Sequence, residues 1–272
     1  MSGLWPLTSR ELKKWIRNPT FFITGLIQPI FWIALFGSAL DITKFFEGPE
    51  GSLAASKILN GAPNYITYIV GGVLTTMGLF TAMFSGTQII WDRRLGPMGR
   101  FLSSPIRRSS IVFSKIISSV IRILPQAAIL VIAAYFIPNG LKFPHGFTIL
   151  DALIMATAIT LIAFIFSSIF SVIATRMTNM QSIFGIVNLV NLPLMFVSYA
   201  MFSKQMMASW LGNIAQYNPV SWSAEAIRTV IIYGNLTPSQ WLQVEQWLGA
   251  LAALAFGLLI LTAILAEREI RD

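Results

Sequence analysis

Long apolar runs without charge constrain this chain more than any other feature. Residues 152–175 contain no charged side chain, nor do residues 18–40, 58–91, 180–203 and 246–266, and residues 116–137 contain only Arg122. A helix needs about 20 apolar residues to cross the roughly 30 Å hydrocarbon core of a bilayer. The runs therefore predict six spans, at about 20–40, 66–90, 113–137, 149–174, 181–203 and 244–266. With 55% hydrophobic and 11% charged residues and a mean hydropathy of +0.70, lipid rather than water must solvate most of the surface. A closed β-barrel would alternate apolar and polar positions. Blocks such as Leu161-Ile-Ala-Phe-Ile-Phe166 are apolar on every face, as a lipid-embedded helix is. The expectation is an all-α integral membrane protein, one transmembrane domain over residues 1–272, with no room for a large soluble catalytic domain.

Composition also removes function classes. There is no cysteine, so thiol catalysis, disulfides and cysteine metal sites are excluded, and the single histidine, His145, cannot build a histidine metal cluster. No Gly-x-x-x-x-Gly-Lys-Ser/Thr loop occurs, so ATP is not bound by that route. Gly71-Gly72 lies inside a span, where glycines serve close helix packing. Ser167, Ser168 and Ser171 have no acid or histidine placed to activate them and read as polar glue between helices. Arg122, followed by Pro125 and Gln126, is the one charge well inside a span. Arg122 and Gln126 are cavity candidates, with snorkelling of the arginine as the plainer reading. With no mid-membrane carboxylate, a proton- or sodium-coupled carrier is disfavoured. Residues 1–17 mix charges with single apolar residues and lack the apolar core of a signal peptide, so the first span is expected to stay attached.

The loops fall into two unequal sets. Arg10, Lys13, Lys14, Arg17, Arg93, Arg94, Arg100, Arg107, Arg108, Lys115, Arg176, Arg268 and Arg271 lie on one side, against Lys44, Lys57, Lys142, Lys204 and Arg228 on the other. The positive-inside rule then places both termini in the cytoplasm of a multi-pass cell-membrane protein. The formal charge of +8 reflects that rule and anionic lipid headgroups, not nucleic acid. The spacing predicts a flat interfacial helix over about 5–17, with Thr8-Ser-Arg-Glu11 as its capping box and Trp5, Leu12 and Ile16 opposite the cations. Asn18-Pro19 should end it.

The loop Trp91-Asp-Arg-Arg-Leu-Gly-Pro-Met-Gly-Arg-Phe-Leu-Ser-Ser-Pro105 is short, basic and bracketed by Gly96-Pro97 and Ser104-Pro105. Met98, Phe101 and Leu102 at three- and four-residue spacing predict one turn of helix with an apolar face beside Arg100, fit to fill a groove on another protein. On the other side, residues 218–232 read as a helix lying on or re-entering the outer leaflet, begun by Asn218-Pro219, with Glu225 and Arg228 paired on its polar side.

These motifs, in this order, resemble the type-2 permease subunits of ATP-binding-cassette exporters, notably the drug-resistance and nodulation-factor exporter branch. The resemblance covers the whole chain. It rests on Arg10-Glu-Leu-Lys-Lys-Trp-Ile-Arg-Asn-Pro19, on the loop just quoted, on Leu192-Pro-Leu-Met-Phe-Val-Ser-Tyr-Ala-Met-Phe202 and on Asn218-Pro-Val-Ser-Trp-Ser-Ala-Glu-Ala-Ile-Arg228. It implies an interfacial gate helix carrying Arg10, Glu11, Lys13, Lys14, Trp15 and Arg17. It also implies a coupling helix at Asp92, Arg93, Arg94, Gly96, Arg100, Phe101, Leu102 and Pro105 that docks on a separate ATPase subunit, and an outer re-entrant region at Asn218, Pro219, Glu225 and Arg228. Two copies of the permease would pair with two ATPase chains that hold ATP and magnesium, this chain holding no cofactor, and the pair would export a bulky amphipathic drug, lipid or lipid-linked glycan. Two other classes stay open on the residues alone: a secondary carrier or channel, and a non-transporting assembly subunit.

Overall fold

Backbone amides in hydrocarbon must be satisfied within their own segment, and the apolar runs meet that demand as α-helices. The computed structural model describes residues 3–39, 57–104, 106–177 and 179–269, and the regular structure among them is helical throughout. Most of the polar loop after the first apolar run (Lys44 included), Pro105 and Arg271 lie outside the described residues, as do the side chains of Arg100 and Leu102.

The chain begins with α1 (Leu4–Ile16) and α2 (Pro19–Ala39). Next come α3 (Tyr65–Arg94), the short α4 (Pro97–Leu102) and α5 (Arg108–Phe136). Then follow α6 (Ile149–Arg176), α7 (Met180–Phe196), α8 (Ser209–Ala215), α9 (Pro219–Tyr233) and α10 (Pro238–Glu269). By length and composition α3, α5, α6 and α10 can cross a membrane; α2, over Phe22–Gly37, and α7 are apolar but shorter.

Burial ranks these helices. The most apolar window of α3 is 89% buried against 17% for α10, so α3 is the axis of the bundle and α10 lies at its edge. Around α3 pack α2, α5, α6 and α9. Of the three serines expected as polar glue, Ser167 serves: its hydroxyl meets that of Ser119 at 2.7 Å between α5 and α6. Ser168 donates to the Phe164 carbonyl of its own helix, and the buried Ser171 hydroxyl finds no partner among the described residues. Between α3 and α5 the Ser85 hydroxyl donates to the Lys115 carbonyl at 2.9 Å. Close approach explains Gly72, where a Cβ would fall 1.7 Å from the carbonyl oxygen of Ala200. Gly72→Ala is expected to cost about 1–3 kcal/mol by overpacking. Gly249→Ala, where a Cβ meets nothing within 4 Å, should be neutral. Thermal unfolding of the two variants in detergent checks this, and equal midpoints would remove the packing argument.

Three local expectations change. The helix at the N-terminus starts four residues before the Thr8 box, at Leu4, with no side-chain cap on Gly3. Thr8 instead donates to the Leu4 carbonyl at 2.9 Å from inside the helix, and Glu11 turns into the core. Its protein-facing side is Leu7, Thr8 and Glu11, while Trp5 and Ile16 are 68% and 70% exposed. The run expected to span 181–203 is helical only to Phe196, after Pro193. Beyond it the carbonyls of Tyr199 and Ala200 are taken by Arg228 rather than by helix amides.

Candidate functional site: an ion cluster between the first helix and the short helix

Charges are rare in this chain, and the bundle gathers several of them at one end. Seven residues into α5 stands Lys115, 1% exposed. Its ammonium donates to Glu11 Oε1 of α1 at 2.7 Å and to Asp92 Oδ2 near the end of α3. Glu11 and Asp92 are themselves 3% and 2% exposed. Arg10 closes the near side, with Nη1 at 3.0 Å from Glu11 Oε1 and Nη2 at 3.7 Å from Asp92 Oδ1; Lys14 Nζ stands 3.9 Å from the same Asp92 oxygen.

A second cation joins from deeper in α5. Arg122, 8% exposed, donates from Nε to the Ser118 carbonyl at 3.0 Å. In the amide orientation that its neighbours require, Gln88 donates to Glu11 Oε2 at 3.2 Å and accepts from Arg122 Nη1 at 3.0 Å. Gln88 therefore relays the Glu11 carboxylate to the Arg122 guanidinium. Arg122 is thus buried and hydrogen-bonded, its guanidinium drawn back one turn along α5 toward Ser118 and Gln88. Two buried carboxylates face two buried cations, and neither sign could be buried alone without a cost of several kcal/mol. Gln126 is also buried, at 3%, but it packs toward α2, where a Cβ on Gly25 would come 2.7 Å from Nε2.

The cluster is positioned beside α4. Asp92 precedes α4 on α3, Lys115 follows it on α5, and Arg10 lies over the Phe101 ring at 5.0 Å. α1 is thus fastened to both flanks of the basic loop and to the short helix between them. Gly96 turns the chain with φ of 89°, a conformation open to glycine, and Pro97 starts the helix. The apolar turn does not present one outward face: Met98 is 5% exposed and Phe101 is half-buried against the core, whereas Leu95 is 70% exposed. Arg93 is half-buried and Arg94 exposed at the end of α3; Lys13, Lys14 and Arg17 are exposed on α1, and Trp15 stacks edge-on to Phe22 at 5.4 Å.

Asn218, Pro219, Glu225 and Arg228 form a separate group on α9. Asn218 caps this helix, accepting from Val220 N at 2.9 Å, and its amide donates to the carbonyls of Leu194 and Val197 at 2.9 and 2.6 Å. Arg228 is not on a polar surface. It is 1% exposed, lies 3.7 Å from the centre of the Tyr68 ring, and donates to the carbonyls of Tyr68 and Tyr199 at 3.0 and 2.9 Å while pairing with Glu225. α9 is packed among α3, α6 and α10, so it does not lie on the bundle.

Lys115 and Gln88 were absent from the sequence-derived site. Lys115 stood there as one more loop cation. The signal that singles it out is its register: Lys115 and Arg122, seven apart, share a face of α5 with Ser118.

Residues 3–232 match the family described as ABC-2 type transporter. A chain of Porphyra purpurea named as the transport permease ycf38 is 28% identical over 225 residues, 82% of this chain and 71% of that one. Its namesake in Cyanophora paradoxa is 27% identical over 241 residues, 88% and 76% of the two chains. The daunorubicin resistance ABC transporter permease protein DrrB1 of Streptomyces coeruleorubidus is 22% identical over 233 residues, 85% and 74% of the two chains.

Proposed function

The chain belongs to the ABC-2 type transporter family, and on that premise we propose that it is the permease subunit of an ATP-driven exporter with six spans and both termini in the cytoplasm. In the cell membrane two copies of this chain pair with two copies of a separate ATP-binding-cassette subunit, which holds ATP and magnesium. α4 is the coupling element that meets the ATPase, α1 the interfacial gate helix, and α9 the re-entrant element near the exit. The cargo is a bulky amphipathic molecule, in keeping with a bundle interior poor in unpaired charge and with the drug-resistance permease among its relatives.

The observation that carries this reading is the cluster of Lys115, Glu11 and Asp92. An element that transmits a push needs a stiff connection, and buried ion pairs with defined geometry supply one between α4's two flanks and α1. Among the described side chains of the turn, Leu95 is large, apolar and 70% exposed, and we take it as an anchor for the ATPase, in the same loop as Arg100 and Leu102. Leu95→Asp in the assembled complex is expected to lower cargo-stimulated ATP hydrolysis about tenfold or more, the effect of losing a central interface anchor, with membrane insertion intact. Hydrolysis at the original rate in a correctly inserted variant would end the coupling role of this turn. A tag after Asn235 should be accessible from outside the cell and one at Arg268 should not; the reverse pattern would overturn the orientation.

A further inference from the structure

The cations of α1 are only partly used by the ion cluster. Arg10 and Lys14 reach Asp92, whereas Lys13 and Arg17 are exposed and form no ion pair among the described residues. Taken together, Arg10, Lys13, Lys14, Arg17, Lys115 and Arg122 stand against Glu11 and Asp92, six positive charges against two negative, leaving four in excess. The excess lies along a groove of about 600 Å³ bordered by Trp5, Ser9, Lys13, Lys14, Arg17 and Asn18.

The surroundings of the groove are apolar. Trp5, which borders it, is 68% exposed, Ile16, next to Arg17 in the chain, is 70% exposed, and α2 begins three residues after Ile16. α2 exposes Ile23, Ile27 and Phe31 at four-residue spacing, by 52%, 58% and 61%. Unpaired cations with donor side chains therefore adjoin a column that requires hydrocarbon. A soluble anion would satisfy only the first half of this surface. An acidic protein face would satisfy the charge and leave Trp5 and Ile16 in water.

We infer that the groove on the outer face of α1 binds the anionic phosphate headgroup of an acidic phospholipid, through Lys13, Lys14 and Arg17, with its acyl chains along the exposed side of α2. This rests on the proposed placement of α1 at the membrane surface. Bound lipid would neutralise the excess charge of α1 and hold the helix in the plane where its own ion cluster fixes it. The permease would accordingly depend on acidic lipid for the setting of its gate helix.

The test uses Trp5, which borders the groove. Its fluorescence is isolated as the difference between the wild type and Trp5→Phe, with the full permease in nanodiscs, with and without its ATPase subunit. Phosphatidylglycerol brominated on its acyl chains is compared with phosphatidylcholine brominated at the same carbons. Phosphatidylglycerol is expected to quench Trp5 at a several-fold lower mole fraction. Lys13→Gln with Arg17→Gln should erase that preference, each cation being worth about fivefold in affinity for an anionic surface. Equal quenching by the two lipids in the wild type, or a preference that survives in the double variant, overturns the lipid site while leaving the placement of α1 intact. Absence of quenching by either lipid overturns the placement and the inference together. Trp5 shielded from both lipids only when the ATPase is bound, with assembly weakened in the double variant, would assign the face to the ATPase and overturn the inference.

Discussion

Lys115→Met is expected to destabilise the permease by about 3–5 kcal/mol, the range for removing one partner from a buried ion pair. The reason is what remains. Glu11 and Asp92, at 3% and 2% exposure, would keep their charges without the ammonium that both contact. Arg10 would still pair with Glu11 at 3.0 Å, but Asp92 would be left with Arg10 and Lys14 on its exposed side at 3.7 and 3.9 Å, which compensate only weakly. α1 is expected to leave its dock between α3 and α5, so the Lys115→Met protein should show both a lower unfolding midpoint in detergent and early proteolysis near Arg17. Adding Glu11→Gln and Asp92→Asn removes the stranded charges. The same Lys115→Met change in that background should then cost less than about 1.5 kcal/mol, because Lys115 is there a buried cation without a carboxylate and its removal strands no opposite charge. A cost that is the same in both backgrounds would mean that Lys115 contributes by packing alone. A complementary effect is expected on activity: the triple variant folds but loses the stiff link from α4 to α1, so cargo-stimulated hydrolysis should fall while basal hydrolysis by the ATPase persists.

How much of this could be read in the sequence depends on which physical signal each feature uses. The helices were legible because hydropathy over a full span integrates some 20 residues and needs no partner. Polar residues before the apolar runs are also local signals, and Asn64 and Thr148 cap α3 and α6 from their side chains. α7 was misjudged at its end. Residues 197–203 carry no charge, but around and past Phe196 carbonyls are held by residues distant in sequence, those of Leu194 and Val197 by Asn218 and those of Tyr199 and Ala200 by Arg228, which no local pattern announces. The short turn at α4 was half legible. Spacing put Met98, Phe101 and Leu102 on one turn, but spacing cannot say whether a face meets its own core or a partner, and Met98 meets its own core.

The ion cluster was hidden by counting. Charges tallied by loop give orientation, and Lys115 counted toward that total. The acids held more information than the bases. Outside residues 41–50, Glu11 and Asp92 are the only carboxylates before Asp151, and each sits in a strongly basic segment. A rare sign in such surroundings has a reason, and here the reason is a shared buried ammonium. Arg122 was noticed for its depth but not its partner, since Gln88, the connecting amide, is an unremarkable polar residue in a helical run.

At the opposite end of the bundle, Arg228→Leu is expected to cost about 3–5 kcal/mol, as the sum of an unpaired, largely buried carboxylate and unsatisfied carbonyls. The guanidinium serves three segments at once: the Tyr68 carbonyl of α3 at 3.0 Å, the Tyr199 carbonyl after α7 at 2.9 Å, and Glu225 one turn back on α9. It also covers the Tyr68 ring at 3.7 Å. Tyr199 and Ala200 lie outside a helix, where no amide four residues on takes their carbonyls, so their loss is not made good. Arg228→Lys keeps the charge beside Glu225 but lacks the planar fork that reaches two carbonyls in different directions, and it should recover about half of the loss. Glu225→Gln removes the counter-charge but leaves an amide oxygen to accept from the guanidinium, which keeps its two carbonyls and the Tyr68 ring, so it should cost less than Arg228→Lys, about 1–2 kcal/mol. The order expected in unfolding midpoint is therefore wild type, Glu225→Gln, Arg228→Lys, Arg228→Leu, from highest to lowest. Arg228→Lys at the wild-type midpoint would show that charge alone matters, and Glu225→Gln as damaging as Arg228→Leu would show that the ion pair, not the carbonyl contacts, carries the stability. If the order holds, the hold on the segment after α7 is geometric rather than electrostatic. On the proposed reading this hold would keep the exit closed until α9 and α3 move apart, so Arg228→Lys should also raise passive leak of a small amphipathic dye from proteoliposomes without added ATP.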